Sequence, residues 1–410
     1  MAPRSAAARS TDRFERKREA ILDAATRILN RKGIKGLTLG DAAAAVDLST
    51  TSVTYYFKRK DDLAAACITR GIETLYDLAE EAVRAPSPPE RLHAFFTLYL
   101  DVLGRTIAGT APPLPIISEL RALTSPRREE VATAYGRLFR KARQIFDHPD
   151  LIWMSRGRRT ARTRMLLEQV FWGGAWLAKY DPVDHPRVRD RMVDIFLHGM
   201  APEGAAWEPA PIPMDQLAAR EGPELARETF LLAATRLINL RGYRGASVDK
   251  ISAELNVTKG SFYHHNEAKD DLVVTCFERS FEVMTRAQRL AMELPGDQWA
   301  KVSACAAALA EFQLSDHGPL LRTSALTALP EQMRRVMVEH ANRVSDRFAS
   351  MISDGIAEGS IRPVDPFIAS QMLNATLNAC AELGYLVPDV RPKAAASVFV
   401  RPLLMGIFEK

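Results

Sequence analysis

The residues able to do chemistry are few in this chain, and their spacing argues against a reaction centre. Cys67, Cys276, Cys305 and Cys380 form no CxxC pair and have no histidines at metal-ligand spacing, so neither a disulfide nor a zinc framework is expected. Cys67 and Cys276 fall on the apolar side of helical patterns and read as small buried hydrophobes. His264 and His265 are adjacent, and neighbours on a helix point about 100° apart, too far to chelate one ion easily. With no nucleophile beside a base, the chain is not expected to be an enzyme or to hold a cofactor or a metal. What remains is charge. Arg4, Arg9, Arg13, Arg16, Lys17 and Arg18 form a basic arm that could follow a phosphate backbone or enter a minor groove, giving salt-sensitive affinity with little sequence information. The plainer reading of the same arm is a solvated tail.

The elements that would position such groups occur twice. Residues 18–70 align without a gap to 227–279 at an offset of 209, and 18 of the 53 positions are identical, among them Glu19, Asn30, Gly33, Gly36, Lys60, Cys67 and Arg70. A period this long is a repeated domain and not a solenoid unit. At 410 residues the chain has room for two full cores. Alanine, leucine and arginine dominate and β-branched runs are scarce, so the expected fold class is all-α. No apolar stretch reaches the roughly 18 residues needed to cross a bilayer, and Met1 to Ser10 lacks a signal-peptide core; the cytoplasm is the expected location, with no membrane partner.

Within the first copy, Ile21, Leu22, Ala25, Ile28 and Leu29 mark an amphipathic helix that stops at Gly33. Thr38 and Ser49 can each cap a short helix, and only Val46, Asp47 and Leu48 separate the two. Such a turn often needs one residue at positive φ, which Asp47 and its counterpart Asn256 tolerate. Two short helices joined this way make a helix-turn-helix, whose second helix can enter a major groove; a plain helical hairpin would read the same way.

The second copy, Gly242-Tyr-Arg-Gly-Ala-Ser-Val-Asp-Lys-Ile-Ser-Ala-Glu-Leu-Asn-Val-Thr-Lys-Gly-Ser-Phe-Tyr-His-His-Asn-Glu-Ala-Lys-Asp-Asp-Leu272, resembles the signature of TetR-family transcriptional regulators, and Gly33 to Leu63 resembles it more loosely. The resemblance implies a third helix that reads double-stranded DNA. It assigns phosphate contacts to Tyr263 and Lys269 and groove contacts to Thr258, Lys259, Gly260, Ser261, His264 and His265, with Ser247 at the start of the preceding helix. The matching first-copy set is Thr38, Ser49, Thr50, Thr51, Ser52, Thr54, Tyr55, Tyr56 and Lys60. Hydroxyl and lysine donors suit phosphates, and lysine, threonine and histidine also reach base edges. Neither copy is a clean match, since Thr51 replaces a glycine, Thr54 a tyrosine and Asn266 a phenylalanine. Residues 1–60 carry a net charge of +7 (13 Lys and Arg against 6 Asp and Glu) and 221–269 only +1 (7 against 6), so the better motif is not on the more basic head.

Behind each head, helical patterns run through 61–83, 89–103, 114–123, 127–146, 160–180 and 188–200, and through 270–293, 299–312, 320–329, 331–357, 366–386 and 394–408. The expected division is a basic arm (1–18), a first head (19–65), a first regulatory body (66–200), a proline-rich linker without helical period (201–223), a second head (224–274) and a second body (275–410). In the resembled family the last two helices of two subunits form a four-helix bundle. Here both pairs lie on one chain, with Gly173, Gly174, Ala375 and Ala379 as small residues for close approach, which implies an intramolecular pseudo-dimer; further homo-oligomers stay open. Two unequal reading helices then imply a non-palindromic operator. The family also implies a small apolar or aromatic effector, for which Trp153, Met165, Phe171, Trp172, Trp176 and Phe312 could line a pocket, although such a stripe equally reads as packing. Arg156, Arg158, Arg159, Arg162 and Arg164 read as a solvated loop or as partners for a ligand carboxylate or phosphate. Repressor action released by the effector is the expected mode. The alternative is a ligand sensor or protein-binding regulator in which one or both heads no longer bind DNA specifically.

Overall fold

The computed structural model describes residues 6–117, 123–218, 223–246, 248–254, 269–381 and 392–410; their regular structure is all helical, with no strand among them. The first head is built from α1 (Ala6–Gly36), α2 (Leu39–Ala44) and α3 (Thr50–Tyr56). Thr38 caps α2 by accepting from the Asp41 amide, Ser49 caps α3 by accepting from Ser52, and Asp47 between them has φ 53°. Ile21, Leu22, Ala25 and Leu29 of α1 bury against Ala42, Ala43, Val53 and Leu63, so the apolar spacing read from the sequence is the core of the head. The arm is not separate from this helix. From Ala6 onward it continues α1, because Ala6, Ala7 and Ala8 are the strongest helix formers available and no proline intervenes. Residues 1–5, with Arg4, lie outside the described residues.

The first body follows as α4 (Lys60–Ala82), α5 (Pro88–Ile107), α6 (Arg127–Arg143), α7 (Arg156–Trp176) and α8 (His185–His198). A capping box between Ser87 and Glu90 starts α5, and α4 packs along α1, α5 and α6. The helix expected over 114–123 does not form in its first part. Residues 112–116 have no regular structure because Pro113 and Pro115 lack the amides a helix needs there, and 118–122 lie outside the described residues. The linker departs from expectation as well. Met214–Ala218 is a short helix (α9), Ile212 and Leu217 are buried, and the Met200 and Ala201 amides donate to Leu404 O. A stretch whose prolines suppress periodicity can still be pinned by a few apolar side chains.

The second half repeats the plan with α10 (Pro223–Gly245), α11 (Val248–Glu254), α12 (Lys269–Glu293), α13 (Gln298–Leu314), a 3-10 turn (Thr323–Ala328), α14 (Glu331–Glu358), α15 (Pro366–Cys380) and α16 (Pro392–Ala395). A π turn (Ala396–Val400) leads into α17 (Arg401–Met405). The repeat extends to side chains. Arg70 pairs with Glu19 at 2.9 Å and Arg279 with Glu228 at 2.6 Å, while the Cys67 and Cys276 thiols each lie 3.7 Å from the carbonyl of Leu22 or Leu231.

The halves meet where α7 lies along α15 and α8 approaches α15 and α17. Gln169 Nε2 donates to Met372 O at 3.0 Å, Trp172 Nε1 to Gln371 Oε1 at 2.9 Å, and Arg362 Nε to Gly199 O at 2.7 Å. Ala375 and Ala379 are buried in this region, but the two glycines serve other ends. Gly173 makes room for the Tyr99 hydroxyl, 2.9 Å from where a Cβ would sit, and Gly174 faces open space.

The packing at the seam can be tested at one glycine. Gly199 has φ 66°, and an added Cβ would lie 2.2 Å from Leu404 O, whereas Gly204 has φ 76° with nothing within 4 Å. Gly199→Ala is therefore expected to lose roughly 2 kcal/mol or more, and Gly204→Ala about 1 kcal/mol, in urea unfolding; equal losses would contradict the contact. All four cysteines are buried, and desolvation pushes the Cys67 thiol up to about 11 and Cys276 to about 12. A thiol reagent at neutral pH should label none of them until guanidinium is added. Because the buried Cys67 thiol stays protonated where an unfolded one ionises, its contribution to stability is complete below the ordinary value of 9.0 and is lost as pH climbs through about 11.

Candidate DNA-reading heads and effector cavity

On the first head, α3 presents Thr50, Thr51 and Tyr55 outward, Tyr55 being 76% exposed, with Ser49 exposed at its start. Ser52 and Thr54 are half-buried and already engaged: the Ser49 and Ser52 hydroxyls lie 2.8 Å apart, and Thr54 Oγ1 donates to Thr51 O at 2.8 Å. Thr38 is exposed beside the α2 start, and Lys60 opens α4, half-buried. Phe14 was not singled out by its sequence context, a lone aromatic among charges. Its ring nevertheless lies tilted 4.7 Å from Tyr56 and edge-on 6.0 Å from Tyr55, so the lengthened α1 braces α3 while Arg13 and Arg16 stay exposed on it. What α3 leaves open is a hydroxyl-rich and aromatic face beside a basic helix, suited to phosphate and base-edge contacts.

On the second head, Ser247, Thr258, Lys259, Gly260, Ser261, Tyr263, His264 and His265 lie outside the described residues. Lys269 opens α12, where its ammonium sits 4.1 Å above the Tyr243 ring and donates to Tyr243 O. The Tyr243 hydroxyl donates in turn to Asp270; burial and that neighbouring carboxylate push the phenol above its usual range. The first head has Ile34 at the position of Tyr243, so this arrangement belongs to the second head alone.

Behind the first head lies a cavity of about 500 Å³. Gly71 and Leu75 of α4, Tyr99, Leu103 and Ile107 of α5, the 113–117 segment and Phe171 and Trp172 of α7 supply most of its apolar wall. Of the six side chains expected to form such a pocket, only these last two reach it. Met165 is fully buried in the core. Trp176 packs 6.1 Å from Phe367 of the other half, Trp153 lies beneath Arg158 and Arg162, and Phe312 is buried beside Arg279. These four are packing residues, because each finds a protein neighbour on the side that a ligand would need.

The arginine cluster is likewise structural at its inner end, and it lies on α7 and not in a loop. Arg162 is buried, donates to Ile407 O at 2.6 Å, and is pulled down to about 10 by desolvation and then by Arg158 and Arg401. Arg164 pairs with Glu168 in the interior, and Arg159 with Asp147 at 2.9 Å, whereas Arg156 and Arg158 are exposed.

Asn30 joins head to cavity. Its Nδ2 donates to Leu114 O at 2.8 Å, its Oδ1 accepts from the Ile116 amide at 3.0 Å, and the segment it grips is cavity wall. Asn239 grips Leu320 O and the Arg322 amide in the same way. Both asparagines are among the repeat identities, the one sequence signal that marked them.

The helix-turn-helix of the first head, locked to a helical body, defines a class of DNA-binding regulator. The family model described as bacterial regulatory proteins, tetR family, matches residues 21–67 and 230–276, so the chain carries a TetR-family domain in two tandem copies. It is 20% identical over 149 residues to the transposon Tn10 TetC protein of Escherichia coli, covering 36% of this chain and 74% of that protein. Among solved structures it is similar to the TetR-family regulator PfmR from Thermus thermophilus, with 21% identity, 44% of this chain, 99% of that chain and a TM-score of 0.38. It is also similar to AibR in complex with isovaleryl coenzyme A and operator DNA, with 20% identity, 43% of this chain, 97% of that chain and a TM-score of 0.36. Among the described residues no helix is long and apolar enough to cross a membrane.

Replacing Asn30 by Ala should free the Ile116 amide and cost about 1–3 kcal/mol, since both partners it leaves are partly buried. Amide exchange at Ile116 is expected to accelerate while exchange in α3 stays near wild type. Unchanged protection at Ile116 would mean that the clamp carries no load.

Proposed function

We propose that this chain is a sequence-specific DNA-binding transcriptional regulator, a repressor released by a small apolar ligand. Its halves act as an intramolecular pseudo-dimer that offers two unequal heads to a non-palindromic operator. The observation carrying this reading is the contrast between frame and face. The pairs that tie each head to its body, Arg70 with Glu19 and Asn30 with the 114–116 backbone, recur as Arg279 with Glu228 and Asn239 with 320–322. The reading positions do not recur: Thr50, Thr51, Thr54, Tyr55 and Tyr56 stand against Lys259, Gly260, Tyr263, His264 and His265. A frame kept in both copies with different donors on each supports two half-sites of different sequence. The arginines along α1 add salt-dependent affinity on one side.

Release works through the wall of the cavity. A ligand that fills the space beside Leu114 and Ile116 displaces the segment held by Asn30 and so reorients α1, with α4 as the rigid lever between Gly71 and the head. A coupling of about 1–3 kcal/mol is the usual scale for such an effect, and the ligand and the operator weaken one another by the same factor.

A second reading, in which the second head no longer holds DNA specifically, is favoured by Lys269, whose ammonium is turned onto Tyr243. Selection of DNA from a random pool with the full chain separates the two. The proposal expects a motif with two dissimilar halves, and Tyr55→Ala with Thr50→Ala should relax one half only, at roughly 1–3 kcal/mol per lost base contact. A perfect inverted repeat bound by one chain would overturn it, and enrichment of a single half-site would establish the second reading.

A further inference from the structure

The first-half cavity has a counterpart in the second half, and the two have diverged. Where α4 carries Ile68, Gly71, Ile72 and Leu75, the repeat offset places Phe277, Ser280, Phe281 and Met284 on α12. The Phe277 and Phe281 rings stack at 5.8 Å and Ser280 Oγ accepts from the Leu321 amide at 2.8 Å, whereas Gly71 has no side chain and Pro115 packs directly on it, 2.3 Å from where a Cβ would sit. About 50 Å³ remains there, against about 500 Å³ in the first half. Small-molecule sites occupy roughly 300–1,000 Å³, so only the first is large enough.

The open cavity is also not a property of the first half alone. Thr323, Leu326, Arg334 and Val338 of the second half complete its wall. The Thr323–Ala328 turn packs against both α1 and α10, the first helices of the two heads. Asn239 of the second head clamps the residues just before this turn, and Arg334 Nη2 donates to Arg31 O of the first head at 2.8 Å. The Thr323 amide donates to Asn378 Oδ1 at 3.0 Å, and Asn378 donates to the cavity carboxylate of Glu168, which Arg164 already pairs. Arg334 is thus the wall charge that no carboxylate among the described residues balances.

We propose that the chain binds one effector, not two: an apolar monoanion seated between the halves, with its charge toward Arg334. One molecule there acts on both heads, because the 320–334 segment it touches is gripped by each. The inference rests on the reading of the two halves as copies of one regulator, but its test uses no DNA and so stands or falls independently of operator binding.

The probe is 1-anilinonaphthalene-8-sulfonate, an apolar ring system with a single sulfonate, titrated into the full chain by fluorescence and calorimetry. One saturable site per chain is expected. Ile107→Trp at the cavity mouth, or Leu103→Trp deeper in, should weaken it about tenfold or more, and Arg334→Gln about tenfold. Phe281→Ala, with Phe281→Leu as the milder variant and helical circular dichroism as the check on folding, should open a second site. Amide exchange with the probe bound should change in both α1 and α10. Two equal sites in the unaltered chain, no saturable site, a site indifferent to the tryptophans or to Arg334, or exchange changes confined to one head would overturn the proposal.

Discussion

Burying α7 against α15 is a demanding piece of packing, because the face that α7 turns inward carries Arg162, Arg164, Glu168 and Gln169 as well as leucine and methionine. Each charge taken from water costs several kcal/mol unless it is paired, and here much of the compensation comes from the other half of the chain. Ile407 and Glu409 carbonyls accept from Arg162, Met372 O and the Thr376 hydroxyl accept from Gln169, and Asn378 donates to Glu168. An apolar seam would tolerate sliding by a turn. The hydrogen bonds of this one fit a single register, although among the described residues Arg162 Nη1 finds no acceptor and Gln169 Oε1 no donor, and that register sets where each head and the cavity lie.

Much of the head was legible beforehand because its determinants are local. An apolar stripe, two capping hydroxyls and one residue at positive φ specify one amphipathic helix and two short ones whatever surrounds them, and Thr38, Ser49 and Asp47 take the capping and turn roles. The body helices were legible to within a few residues for the same reason. The misreadings arise where a local rule met a longer-range one. Pro113 and Pro115 break the apolar run at 114–117, which then serves as wall and clamp instead of helix, and Met214–Ala218 is held by burial of Leu217 that proline-rich composition conceals.

The candidate cavity was only half legible. Residue type marked Phe171 and Trp172, which line the cavity, but could not separate them from Trp153, Met165, Trp176 and Phe312, which do not, because apolar aromatic character suits a pocket wall and a packed seam equally. Asn30 was marked only as a repeat identity and the second-half residues of the wall not at all, because their importance lies in a loop and a neighbour far away in sequence, which no periodicity reports. The reading positions expected on the first head came from the family resemblance carried across the repeat, whereas Phe14, which braces Tyr55 and Tyr56, lies upstream of it.

Carrying two copies on one chain changes what substitution can do. In a homodimer every side chain appears twice, so a change that fills one pocket fills both and a change in one reading helix alters both half-sites. Covalent linkage removes that constraint. Among the positions that differ are Gly71 and Leu75 against Ser280 and Met284 in the pockets and, in the sequence, Tyr55 and Tyr56 against His264 and His265. Those that do not differ, Glu19, Asn30, Cys67 and Arg70 with their partners 209 residues on, hold a head to its body, and each copy still needs that attachment. The seam belongs to the first group. Its polar contacts, Glu168 with Asn378 and Trp172 with Gln371, each depend on a residue type present on one side of the seam only at that position.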